Sequence, residues 1–313
     1  ATDAYNVAIG SSAGGAVTTG IENTIVGGRA GDALTTGQEN AVFGQQALSA
    51  DTAGNHSTAI GHGALFTQNF TTATDTHNTA VGFSAGAAVT TGVNNTLIGS
   101  TAGDALTDAD TNVALGHAAL STDTLGSQSV AIGASALESQ NFTTATNSLN
   151  TAVGTAAGAA VTTGIRNTLI GAFAGDALTD ADRNTAVGHI ALSTDTLGSR
   201  STAIGHGALT TQNFTTATDV YNTAVGHSAG LATTTGKENT LIGGLAGDAL
   251  TTGSNNVAVG YEALSTEDAH GNNVAIGNRA LKTLNAGATG LNTAVGDDAG
   301  LLMTTGLSNT LIG

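Results

Sequence analysis

The sequence has no cysteine, no proline and no tryptophan, and its 313 residues include only 3 Tyr and 7 Phe. The absence of cysteine excludes disulfides and thiolate metal sites. So few aromatics exclude the usual core of two ordinary globular domains, because the 40% hydrophobic fraction is mostly Ala, Val, Ile and Leu. Charge is scarce and mostly of one sign: 7 Lys+Arg stand against 23 Asp+Glu, for a formal charge of -16. The basic residues Arg29, Arg166, Arg183, Arg200, Lys237, Arg279 and Lys282 never cluster, so no basic stripe exists to track nucleic-acid phosphates. No apolar run reaches the ~18 residues of a membrane-spanning helix. Only 10% of residues are charged and the mean hydropathy is +0.11, which argues for a folded chain.

What the sequence does contain is a repeat. Glycines that close A-I-G, T-A-V-G or T-L-I-G strings fall at Gly10, Gly27, Gly44, Gly61 and Gly82, spaced 17, 17, 17 and 21, and the cycle then starts again. The superrepeats of 72 residues cover 6–77, 78–149 and 150–221, a shortened one covers 222–291, and a partial one covers 292–313. Units are numbered here from their first Asn or Ser. Position 4 is always Val, Ile, Leu or Phe, position 3 is always aliphatic, and position 8 is Ala in every unit that reaches it, from Ala13 to Ala299.

Alternate residues of a strand point to opposite faces, so positions 3 and 4 make both faces of a short strand apolar. A Gly corner, an Ala shelf and a polar T-T-G turn follow. The pattern predicts an all-β fold: a parallel β-solenoid, or β-roll, of 17- and 21-residue coils, each strand pairing with its equivalents above and below. Seventeen residues are too few for a helical pair, and no 3.6-residue apolar period is present. At about 4.8 Å per coil the array predicts a rod of roughly 80 Å. Strands apolar on both sides are found where both are buried. The second face therefore calls for cover by sister chains, most economically in a symmetric homo-oligomer.

The strings N-V-A-I-G-S-S-A-G (Asn6 to Gly14), S-V-A-I-G-A-S-A-L (Ser129 to Leu137) and N-V-A-I-G-N-R-A-L (Asn273 to Leu281) resemble the head repeats of trimeric autotransporter adhesins. Runs such as Asn78 to Gly92 resemble shaft repeats of bacteriophage tail fibres. The resemblance implies a left-handed, homotrimeric roll in an extracellular place, on a cell surface or a virion, with a cell-surface glycan or host receptor as partner.

Candidate contacts lie in the long units, whose extra residues spell T-Q-N-F-T-T-A-T-D or close variants. Phe70, Phe142 and Phe214 recur there. Each ring either stacks on a glycan or a neighbouring fibre, or plugs the enlarged corner as local core, the commoner use of an aromatic. Asn69, Asn141 and Asn213 open N-F-T triplets and are candidate glycosylation acceptors, although such triplets arise readily in an Asn- and Thr-rich chain. His62, His117, His189, His206 and His227 follow the marker Gly, as a packing ladder or, if repeated by symmetry, as metal ligands. G-D-A-L-T-D-A-D (Gly103 to Asp110 and Gly175 to Asp182) gathers carboxylates, which read as solubilising charge or as Ca²⁺ ligands.

No catalytic constellation, Walker loop or zinc spacing is present, so no enzyme, catalytic residue or cofactor is expected. The expected function is a structural fibre segment. The alternative from another class is an ice-binding solenoid built on Thr ladders, since the chain has 54 Thr and stacked T-T-G pairs. One continuous array over 1–313 is expected. Its A-T-D-A-Y opening matches the end of a long unit and it stops five residues into another, so uncapped ends and a longer parent protein are also expected.

Overall fold

A computed structural model describes residues 4–313; Ala1, Thr2 and Asp3 of the opening segment lie outside the described residues. Two compact units are present, one ending at Thr155 and the other running from Ala156 to Gly313. Each is a parallel β-solenoid, and among the described residues there is no helix. In the first unit the strands Val7–Ile9, Thr24–Val26, Ala41–Phe43 and Thr58–Ile60 begin a series that ends at Thr151–Val153. Like pairs with like along that series: Val7 faces Thr24, Ala8 faces Ile25 and Ile9 faces Val26. The second unit repeats the arrangement from Thr168–Ile170 to Thr310–Ile312.

The coil turns at the marker Gly because nothing else fits there. Gly99 has a φ of +136°, and a Cβ on it would lie 2.4 Å from the carbonyl oxygen of Gly116 in the next coil. Positions 9 and 17 also adopt left-handed backbone even without glycine, as at Leu48 (φ 49°) and Glu39 (φ 55°). Such residues cost on the order of 1 kcal/mol each. The turn aims their N–H groups along the stack, where Leu48 donates to the Ala64 carbonyl at 2.9 Å and Glu39 to Ile21 at 3.1 Å.

The inside is filled by positions 3, 8, 9 and 12. The volumes at positions 3 and 9 trade places within each superrepeat. In the second coil Leu97 sits at position 3 and Gly103 at position 9, where an added Cβ would meet the Leu97 side chain at 2.8 Å. In the third coil the sizes are exchanged, with Ala114 at position 3 and Leu120 at position 9, both fully buried. Large against small keeps the cross-section filled.

Position 1 supplies a polar column through this interior. Asn95 accepts from no charge and needs none: its N–H donates to Asn78 Oδ1 (2.9 Å) and its Nδ2 to the Ala109 carbonyl (2.8 Å), while its Oδ1 accepts from Asn112 N (3.0 Å). The buried amides are thereby satisfied coil by coil.

The third and fourth coils hold a second polar cluster that the sequence reading missed. Position 12, Val17 and Leu34 in the first two coils, becomes Asp51 and Gln68, both buried. Asp51 Oδ1 accepts from the N–H groups of Gly54 and Phe70, each at 3.0 Å, and Gln68 Nε2 donates to Asp51 Oδ2 (2.6 Å) and Ser57 Oγ (2.8 Å). Gln68 Oε1 accepts from Asn78 Nδ2 at 2.9 Å. The Asp123 and Gln140 pair repeats this cluster, and the Asp195 and Gln212 pair repeats its core. In the shortened fourth superrepeat all three residue types change together, to Glu267, Leu284 and Asn273.

Removing one link of the Asn column tests its weight. Asn95→Ala orphans the Asn112 N–H and the Ala109 carbonyl, each worth roughly 1–3 kcal/mol when buried unpaired. Urea unfolding is expected to show a loss of about 2–5 kcal/mol, with faster amide exchange centred on the two adjoining coils.

Candidate contact surface

The outward face of the strands is built by positions 2 and 4. Position 3 turns inward, so its two neighbours must turn outward. Phe43, Ile60 and Leu115 are 40%, 38% and 44% exposed in the first unit, and Ile170, Ile204, Ile242 and Ile276 are similarly open in the second. Despite 23 acidic residues, positions 2 and 4 carry no charge in any coil. The face is therefore uncharged from coil to coil within each unit.

Position 6 borders this face, and the marker-following histidines stand there. His189, His206 and His227 stack in successive coils with ring centroids 5.3 and 5.2 Å apart, Phe173 meets His189 edge-on at 6.2 Å, and His62 stacks on Phe83 at 5.4 Å. These contacts are those of a packing ladder.

The long-unit loops are placed differently from a display of aromatics. Phe70, Phe142 and Phe214 are only 8%, 6% and 7% exposed. As candidate contact side chains they are withdrawn from the surface, because the Asp of the preceding coil grips the Phe N–H and folds the ring over the enlarged corner. Ala53 marks the insertion: its N–H donates to the Phe70 carbonyl at 2.9 Å and its own carbonyl accepts from Thr74 N at 3.4 Å. Between those two bonds Thr71, Thr72 and Ala73 bulge out and are exposed, as are Thr143, Thr144 and Ala145, and Thr215, Thr216 and Ala217. A contact made by these loops therefore uses Thr hydroxyls and backbone. Asn69 is exposed, whereas Asn141 and Asn213 are half-buried. Their Oδ1 atoms accept from Thr52, Thr124 and Thr196 of the preceding coil at 3.3, 3.1 and 3.2 Å.

The acidic turns are tied into the ladders of the neighbouring coils. Asp108 Oδ1 accepts from Thr91 Oγ1 (2.6 Å) and Asp110 Oδ1 from Val93 N (2.8 Å); Asp180 and Asp182 do the same with Thr163 and Ile165. Each carboxylate serves its own ladder. Asp104 and Asp176, the first acids of these turns, and their equivalent Asp248 each leave Oδ1 shielded without a hydrogen-bond partner. Burial pushes all three carboxyls above their ordinary value of 3.8.

What sequence reasoning missed is a side-chain group at position 17 and the end of the first long unit: His56, Asp75 and His77, with Glu39 beside them. The signal was present as two histidines 21 residues apart, the length of one long coil. No protein-family model matches the chain, and comparison with curated proteins returns no relative.

The raised carboxyls set a pH dependence. The native state holds these protons more tightly than the unfolded chain, so the stabilisation is complete at pH below 3.8 and is lost as pH rises through the folded-state value. The triple variant Asp104→Asn, Asp176→Asn, Asp248→Asn has no such proton to lose. Its melting temperature is expected to exceed that of the parent at neutral pH, with the difference closing under acid; an equal or lower melting temperature at neutral pH would contradict the reading.

Proposed function

We propose that this chain is a non-catalytic structural fibre segment, the shaft or head of an extracellular adhesin or a virion fibre, in which sister chains pack through the outward strand face as a homotrimer. The observation that carries the reading is that face: β-branched and aliphatic columns, uncharged throughout and half-exposed within each unit. Its pitch is one coil, and a surface with the same pitch is available on another copy of the same chain. Trimeric packing of this kind also accords with the resemblance of the N-V-A-I-G strings to adhesin heads and tail-fibre shafts. The exposed Thr bulges of the long units are the parts left to meet a glycan or receptor.

Ice binding draws less support from the Thr ladders. Thr18 Oγ1 donates to the Thr35 carbonyl at 3.1 Å, and Thr35 to Thr52 at 2.9 Å, with the same pattern at Thr90 and Thr107. These hydroxyl protons serve the neighbouring coil and are not free to order water.

Sedimentation equilibrium tests the assembly. A mass of three chains is expected, and the pair Ile60→Glu with Leu115→Glu is expected to shift it towards one chain while the β-sheet circular dichroism persists. A parent protein that sediments as one chain would overturn the proposal.

A further inference from the structure

The first superrepeat departs from its siblings at the end of its third and fourth coils. His56 and His77 both hold left-handed backbone, with φ of 59° and 49°, which brings their rings parallel at 5.1 Å with 5° between planes. Glu39 Oε2 lies 3.3 Å from His56 Nε2, and Asp75 Oδ1 lies 3.3 Å from His56 Nδ1. Asn55 Nδ2 also donates to Asp75 Oδ1, at 3.1 Å. His56 Nδ1 is shielded from solvent and makes no hydrogen bond. One ligand atom each from His56, Asp75 and His77 lies within 4.8 Å of the others.

A neutral imidazole has one N–H. Each ring nitrogen of His56 faces a carboxylate oxygen at 3.3 Å, and one N–H can serve only one of them. A carboxylate behind a histidine is also the arrangement that orients an imidazole towards a metal and raises its basicity.

The sibling coils supply an internal comparison. In the third superrepeat the places of Glu39, His56, Asp75 and His77 are taken by Arg183, Arg200, Asp219 and Tyr221. There the protein provides its own cation: Arg200 Nε is 2.8 Å from Asp219 Oδ1, and the guanidinium lies 5.6 Å from the Tyr221 ring centre. In the second superrepeat the same places hold Thr111, Gln128, Asn147 and Leu149, with no charge at all. Only the first superrepeat keeps the aspartate, lacks the guanidinium and sets two imidazoles beside it.

We propose that His56, His77 and Asp75 form a binding site for one borderline divalent transition ion of the Zn²⁺ class, with Glu39 as a positioning residue for His56. Two imidazoles and one carboxylate are a donor set suited to such ions and not to Ca²⁺ or Mg²⁺, which prefer oxygen alone. A tetrahedral ion with bonds of about 2.0–2.1 Å leaves its fourth position to water. His77 and Asp75 are exposed side chains, free to close on the ion. Among the described residues a second group of this kind, Glu267, Asp268 and His270, is occupied differently. Glu267 Oε1 accepts from His270 N (3.1 Å) and contacts His270 Nδ1 (2.9 Å), and Oε2 accepts from Ala286 N (3.0 Å), so this carboxylate already fills a structural role.

The test is calorimetric titration of the full, chelator-treated chain with Zn²⁺ at a pH where free imidazole is neutral. It is repeated on His56→Gln with His77→Leu, which installs the residues of the second superrepeat and so suits the coil. Asp75→Asn and Glu39→Gln follow. The parent is expected to bind Zn²⁺ and to ignore competing Ca²⁺. The double variant should lose that binding, and Glu39→Gln should weaken it by about 10–100-fold. Unchanged affinity in the double variant would overturn the site. So would a parent that takes up no Zn²⁺.

Discussion

The structure depends on one constraint: each coil must return the chain to the same place one strand spacing further on. The marker glycine enforces it sterically, since a Cβ at Gly99 or Gly116 would collide with the next coil's carbonyl, and the Asn column enforces it chemically, since each Asn binds the coils on both sides of it. Parallel in-register pairing follows, as it does in stacked β structures generally. The chain can then carry three-residue strands, far too short to be stable alone, because each is held by equivalents above and below.

Within that frame the interior tolerates variation only as exchange. Leu97 faces Gly103 in one coil, and Leu120 accompanies Ala114 in the next. The same logic extends to polar groups. Asp51 and Gln68 are admissible in an apolar core because both carboxylate oxygens and both ends of the amide have partners. Where the fourth superrepeat replaces Gln by Leu284, the acid becomes Glu267 and finds His270 and Ala286 instead. A buried acid kept in four corners, each time with its hydrogen bonds rebuilt, marks the corner as a fixed part of the coil.

Much of this was legible in the sequence. Periodic Gly and Ala, and aliphatics at adjacent positions, define coil length, strand position and the two-sided apolar strand, because repetition turns a weak local signal into a column. The Asn and Ser stacks at position 1 were legible for the same reason. The burial of Phe70 was legible as the commoner use of an aromatic, but its cause was not, since the Asp51 carboxylate that holds the Phe70 N–H lies one coil away. Position 12 was hidden because Val, Leu, Asp and Gln share no chemistry. The His56, Asp75 and His77 group was hidden because it occurs once and periodic reading discards what does not repeat.

The interior thus conserves geometry while positions 17 and the long-unit ends vary from Glu39 and His56 to Arg183 and Arg200, which is how a repetitive scaffold carries differing surface chemistry. The most direct test of the winding itself uses the absence of cysteine. Nitroxide labels at Thr72→Cys and Thr144→Cys, equivalent points one superrepeat apart in the first unit, are diluted into unlabelled chain and measured by pulsed electron resonance. Four coils at about 4.8 Å each predict a narrow distribution near ~19 Å, broadened by the label arms. A broad distribution, or one centred far beyond that distance, would contradict the in-register coil.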